Sequence, residues 1–191
     1  MIKRIPVLLA AAATVVAIAA CHGVDNLTAQ FPNTENSVTV YALNGGPAAS
    51  PTGLDLKSGA PIYIDSNFGF DVAFDLDSTG KVRVYPVRVV ANNLASVHSV
   101  GLQVVSATFD EYTRAVTSGY HFDSTLVAPV GATIAVNSLD VSTCSLYSLG
   151  SSYYAKFIVD SVNAAQKAFY VRLLADPNCG YRTLTGGVPN N

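Results

Sequence analysis

Asp75 and Asp77 stand one residue apart in the stretch FDLDSTGKVRV, residues 74–84. A carboxylate pair at that spacing, followed by Thr and Gly, has three chemical uses. One carboxylate can attack phosphorus while the other moves a proton, the oxygens can line a calcium loop, or the residues can bracket a tight turn. The elements that would position the pair decide among these. Phe70, Val72, Phe74 and Leu76 alternate with Gly69, Asp71, Ala73, Asp75 and Asp77, the period of a strand with one apolar and one acidic face. A three-residue loop, Ser78-Thr79-Gly80, with Gly in the left-handed conformation would return the chain as a hairpin. Asp77 then opposes Lys81, Leu76 opposes Val82, Asp75 opposes Arg83 and Phe74 opposes Val84. Apolar side chains meet on the buried side and opposite charges on the side toward water, each pair favourable by roughly 0.2–1 kcal/mol. A slip of one residue would turn every apolar side chain outward, so the register is well determined. Pro86 limits the second strand to an edge or imposes a bulge.

Two resemblances compete with this hairpin. DLDST resembles the first motif of the haloacid dehalogenase-type phosphatases, in which the first Asp is the nucleophile and the second an acid/base. Those enzymes place the motif at the end of a parallel strand with helices following, whereas the residues after Gly80 read as another strand. DLDSTGKV is also similar to the first half of an EF-hand calcium loop. The bidentate Glu that closes such a loop would fall at Pro86, which has no side-chain ligand to offer. The turn is the reading that satisfies every residue.

The remaining chemical candidates are sparse. His98 shares a strand face with Val100, Leu102 and Val104, where a lone imidazole reads as a packed or partly solvated side chain. His121 and Asp123 would project from one face of a strand, but zinc needs three or four ligands and no third is near. No serine sits in a GxSxG elbow, which leaves only a triad assembled from distant strands. Tyr153 and Tyr154, with Tyr147 and Tyr170 in neighbouring segments, could form an aromatic surface for a glycan or a protein. Strand alternation sends one of the adjacent tyrosines inward and the other outward, and Tyr154 is the candidate contact residue. The chain has no Trp to strengthen a sugar-stacking platform. The sequence thus assigns no catalytic residue, no metal ligand set and no cofactor.

The amino terminus is more specific. MIKRIPVLLAAAATVVAIAAC begins with Lys3 and Arg4, continues through an apolar run and ends in Cys21, the pattern of an export signal. The run is short and alanine-rich, below the roughly 20 strongly apolar residues of a membrane span. Ile18, Ala19, Ala20 and Cys21 resemble the lipobox of bacterial lipoproteins. That resemblance implies cleavage after residue 20 and acylation of Cys21, with two or more acyl chains giving stable membrane attachment. His22 follows the cysteine where an Asp would signal inner-membrane retention, so the resemblance points to the outer membrane. With Cys21 assigned to lipid, Cys144 and Cys179 remain, and in an oxidising compartment they are expected to form a disulfide.

Removal of residues 1–20 takes Lys3 and Arg4 from the 11 basic residues and none of the 13 acidic ones, leaving nine against 13. No basic stripe suits a phosphate backbone, so nucleic acid is excluded as a partner. Residues 21–36 are polar, turn-rich and without period, and read as a tether of about 50 Å at full stretch. From Ser37 onward, short β-branched and aromatic runs separated by Gly, Pro, Asn and Asp read as strands: 38–43, 61–64, 70–77, 81–90, 97–108, 120–127, 133–141, 153–160 and 168–175. Only 109–116 and 162–167 could form a helical turn or two. Such a pattern predicts one all-β domain over 37–191, an antiparallel β-sandwich, immunoglobulin-like in general architecture. The functional expectation is a lipid-anchored cell-envelope binding or structural module, whose partners beside the membrane would be an envelope protein or glycan. The alternatives are a secreted hydrolase with a non-local site and an assembly subunit offering a strand edge.

Overall fold

In the computed structural model, which describes residues 28–141, 144 and 149–189, the chain folds into two antiparallel β-sheets. The export segment, Cys21 and Tyr147 lie outside the described residues. In chain order the elements are β1 (Thr34–Tyr41), β2 (Gly53–Asp55), β3 (Ala60–Ile62), β4 (Val72–Leu76), β5 (Val82–Pro86), a helical turn α1 (Val87–Val90), β6 (Ser99–Val105), β7 (His121–Phe122), β8 (Leu126–Val127), β9 (Thr133–Leu139), β10 (Ser152–Asn163) and β11 (Ala168–Asp176). The larger sheet runs β1-β11-β10-β9-β6-β7 and the smaller β3-β2-β4-β5-β8.

The predicted hairpin is present in its predicted register, with Phe74 opposite Val84, Asp75 opposite Arg83 and Leu76 opposite Val82. Gly80 takes φ +77°, and the Asp77 and Lys81 backbones close the loop. The acidic face is not wet, however. Asp71, Ala73 and Asp75 are all buried; Asp75 sits beneath the Asn44 amide, which donates to it. The charge pair therefore forms one step along, between Arg83 Nε and Asp77 Oδ2 at 3.3 Å. Pro86, having no N–H, ends β5, and α1 follows where the strand was expected to continue to 90.

Phe74, on the inner face of the smaller sheet, packs edge-on against Phe157 and beside Phe169 of the larger, with ring centroids 5.8 and 5.5 Å away. Around them lie Leu54, Leu56, Leu102, Ile134 and Leu173, all fully buried. Truncating such an aromatic to Ala typically costs about 3–5 kcal/mol, so Phe74→Ala is expected to weaken the join between the sheets markedly.

Three departures from the sequence reading have physical causes. The expected strand 120–127 is two short strands in different sheets, because Asp123 takes φ +49° and turns the chain across the sandwich. β10 pairs with β11 two residues away from the register that would have set Lys156 against Arg172; Leu174 faces Lys156 instead, and a bulge separates Val159 from Ser161. That shift removes the like-charge pair. The tether is shorter than 21–36. Asn178 Oδ1 accepts the Gln30 and Phe31 backbone N–H groups at 2.9 and 3.0 Å, and Asn33 bridges to Gly187 before β1 begins.

Candidate functional site

Asp71, immediately before β4, is 1% exposed. Its backbone is held on both sides, its N–H donating to Leu54 O and its carbonyl accepting from Val87 N–H, at 3.0 and 2.8 Å. The carboxylate thereby projects from the smaller sheet toward the larger. Oδ2 accepts the Leu56 backbone N–H at 2.8 Å. Oδ1 accepts the Ser138 hydroxyl at 2.8 Å and the Tyr153 hydroxyl, and lies 3.1 Å from His98 Nε2. The three larger-sheet groups converge by register. Tyr153 of β10 pairs with Ser138 of β9, Ser138 pairs with Val100 of β6, and His98 stands two residues before Val100 on the same face.

The electrostatics follow from this convergence. Burial by itself disfavours a charged imidazole, but the hydrogen bond and negative charge of Asp71, with the more distant Asp140 and Asp55, outweigh it and raise the His98 pKa above its ordinary value. Burial, and then the adjacent Asp71 charge, holds the Tyr153 phenol well above its usual range and so in its neutral, donating form. The Lys57 ammonium lies 5.9 Å from the centre of the Tyr153 ring.

Asp, His and Ser in one cluster invite comparison with a hydrolytic triad, and the connectivity decides against it. In a triad the serine donates to the histidine and the histidine to the aspartate. Here Ser138 and His98 both address the same Asp71 oxygen, and Ser138 is fully buried. With four partners on its two oxygens, Asp71 acts chemically as a polar rivet joining the sheets.

The other candidates are equally accounted for. Asp123 does not join His121 as a ligand pair: its carboxylate accepts from Arg88 at 3.0 Å, Ser99 at 2.8 Å and the Val100 N–H at 3.2 Å, while His121 lies on an exposed two-residue strand. Asp77 Oδ1 accepts the Thr79 hydroxyl, the Thr79 N–H and the Lys81 N–H at 2.6, 2.8 and 3.0 Å. These hydrogen bonds, the Thr79 hydroxyl foremost, lower the Asp77 pKa to about 2. Among the described residues no group of three or more His, Cys, Asp and Glu side chains is placed to hold a metal ion. Cys144 and Cys179 form a disulfide.

Tyr154, the expected surface contact, is 8% exposed and packed in a second apolar cluster. Strand alternation does point Tyr153 and Tyr154 to opposite faces, but the outer face is covered as well. Phe109, Tyr112, Ala115 and Leu184 lie over Ala135, Tyr154, Ile158 and Leu174. Lys156, 3% exposed, fastens this cover by donating to the carbonyls of Phe109 and Tyr112. Its ammonium also lies 4.4 Å from the centre of the Phe109 ring, with the Arg172 guanidinium 4.6 Å from that ring. Burial is the main reason its pKa is lowered.

The sequence singles out His98 as a lone imidazole and Tyr153 as one of a tyrosine pair, but not their convergence on Asp71, because positions 71, 98, 138 and 153 share no local spacing. The available signal was one aspartate in the otherwise apolar inner half of FGFDVAF. Compared with known proteins, the chain matches no family model and no curated protein is significantly similar to it.

Proposed function

We infer that the chain is a lipid-anchored cell-envelope protein, acylated at Cys21 and placed at the outer membrane, whose β-sandwich serves as a binding or structural module. The observation that carries this reading is the closure of the Asp71 cluster. Its serine, tyrosine and histidine are spent on one inter-sheet carboxylate, so the Asp/His/Ser grouping that most resembles catalytic machinery supports rigidity. The lipobox-like end supports the anchor. No helix among the described residues is long and apolar enough to cross a membrane. Metabolic labelling with radioactive palmitate tests the anchor: the full chain should incorporate label and a Cys21→Ala variant should not. Equal labelling of both would refute it, as would none in either.

A second reading, an assembly subunit, is favoured by β1. It is eight residues long, lies at the edge of the larger sheet and, among the described strands, pairs there with β11 alone, so it could accept a strand from another chain. Concentration-dependent association in sedimentation, abolished by a Pro at Ser37, would support that reading. A monomer at all concentrations would oppose it.

A further inference from the structure

The larger sheet has two ends, and the amino-terminal segment leaves from the end where β9 finishes and β10 begins. Gln30 and Phe31 are pinned there by Asn178, whose Nδ2 also donates to Phe31 O at 2.8 Å. From Asn178 a continuous set of contacts runs across this end. Cys179 is bonded to Cys144, Gly180 N–H donates to Ser152 O at 2.7 Å, and Asp140 N–H donates to Ser151 O at 3.1 Å. Gly180, at φ +85°, packs so closely on Leu149 and Gly150 that a Cβ would lie 2.5 Å from backbone atoms. This continuous rim carries four exposed apolar side chains: Phe31 at 57%, Leu139 at 39%, Val141 at 71% and Leu149 at 44%.

We propose that this rim rests on the lipid surface, so that the sandwich stands with its disulfide end against the bilayer and its opposite end outward. The proposal rests on the anchoring reading above and adds an orientation to it. From Cys21 to the pinned Gln30 there are nine chain steps, a reach of about 30 Å at most. A domain held that close meets the surface continually, so even a weak apolar contact is populated. The rim is where the chain coming from Cys21 joins the described domain, at Gln30 and Phe31. Apolar side chains of this kind settle at the headgroup and acyl boundary without spanning it. Asp140, the acid between Leu139 and Val141, is half-buried and close enough to His98 to raise the imidazole pKa.

The test supplies the anchor chemically. In the chain from Cys21 onward, Cys21 is the one cysteine outside the disulfide, so it can be coupled to a maleimide phospholipid in phosphatidylcholine vesicles. The sequence contains no Trp, so Val141→Trp and Leu149→Trp each report from the rim and Val130→Trp from the other end. Val130 precedes Thr133, the start of β9, and Thr133 lies about 20 Å from Leu139 at strand rise. Lipids brominated along their acyl chains should quench the rim reporters roughly twofold more than the Val130→Trp reporter, because a docked side chain sits about 5–10 Å into the boundary region. Coupling should also shift rim emission to the blue. Equal quenching at the three positions, or none at the rim, would overturn the orientation. Because coupling does not depend on cellular acylation, a failure of palmitate labelling would sink the anchor and leave this result standing. Labelling without rim quenching would sink the orientation alone.

Discussion

Replacing Asp71 with Ala should cost more than any substitution at the hairpin aspartates. The carboxylate accepts the Leu56 N–H, the Ser138 hydroxyl and the Tyr153 hydroxyl, and all three donors are buried with it. Each buried donor left without a partner costs about 1–3 kcal/mol. Ser138 and Tyr153 are register neighbours and can recover part of that loss by bonding to each other, so about 3–5 kcal/mol is expected overall, the range for breaking a buried pair. Against a total stability of about 5–15 kcal/mol, such a loss would leave the domain marginal. Urea unfolding followed by circular dichroism, with the disulfide intact, measures it as a fall in midpoint at unchanged slope. The conservative Asp71→Asn variant keeps the shape and removes the charge, which separates packing from electrostatics. His98 has its folded pKa raised above 6.5. Its contribution is therefore complete below about pH 6.5 and is lost as pH rises through the folded value. Wild type should lose stability across that window, and Asp71→Asn should lose the His98 share of the dependence. A cost below about 1 kcal/mol for Asp71→Ala, or an unchanged pH profile in Asp71→Asn, would refute the rivet.

Lys156→Met should destabilise by about 1–3 kcal/mol, because the Phe109 and Tyr112 carbonyls lose their donor; faster limited proteolysis between residues 106 and 120 is the local readout. Reduction of the Cys144–Cys179 bond, which closes a separation of 35 residues, should cost about 4 kcal/mol by loop entropy, and a thermal melt that does not move with reductant would contradict this. Asp77 should titrate by NMR near 2, and Thr79→Val should raise that value toward the usual carboxylate range. Since the Asp77 pKa is depressed, its contribution is present above the unfolded value and lost as pH falls through about 2.

The hairpin was legible because its information is local. Period-two alternation, a Gly at the left-handed position and complementary charges all lie within 15 residues, and together they fix one register. The all-β class was legible for the same reason. The wet face assigned to Asp71 and Asp75 was misjudged because alternation reports which residues share a face, not what covers that face. Asn44 covers Asp75 from another segment, whereas Asp71 lies at a bend before β4, outside the alternation, and its carboxylate meets the larger sheet across the sandwich. Tyr154 failed in the same manner, beneath a cover drawn from around residues 109–115 and 184. The helical turn at Val87 and the two-residue β7 and β8 depend on Pro86 and on the positive φ of Asp123, both of which interrupt runs whose composition alone reads as strand. His98 was noticed as a lone imidazole, but its meaning depends on partners 27 and more residues away in the chain.

The central claim is that Ser138, His98, Tyr153 and Asp71 form a closed joint between the sheets. Treatment of the folded protein with a fluorophosphonate probe, followed by peptide mass spectrometry, tests it most directly. Ser138 should remain unmodified in the native state. Covalent labelling of Ser138 in the folded protein would mean that the hydroxyl is open and activated, and the joint would have to be read as an active site.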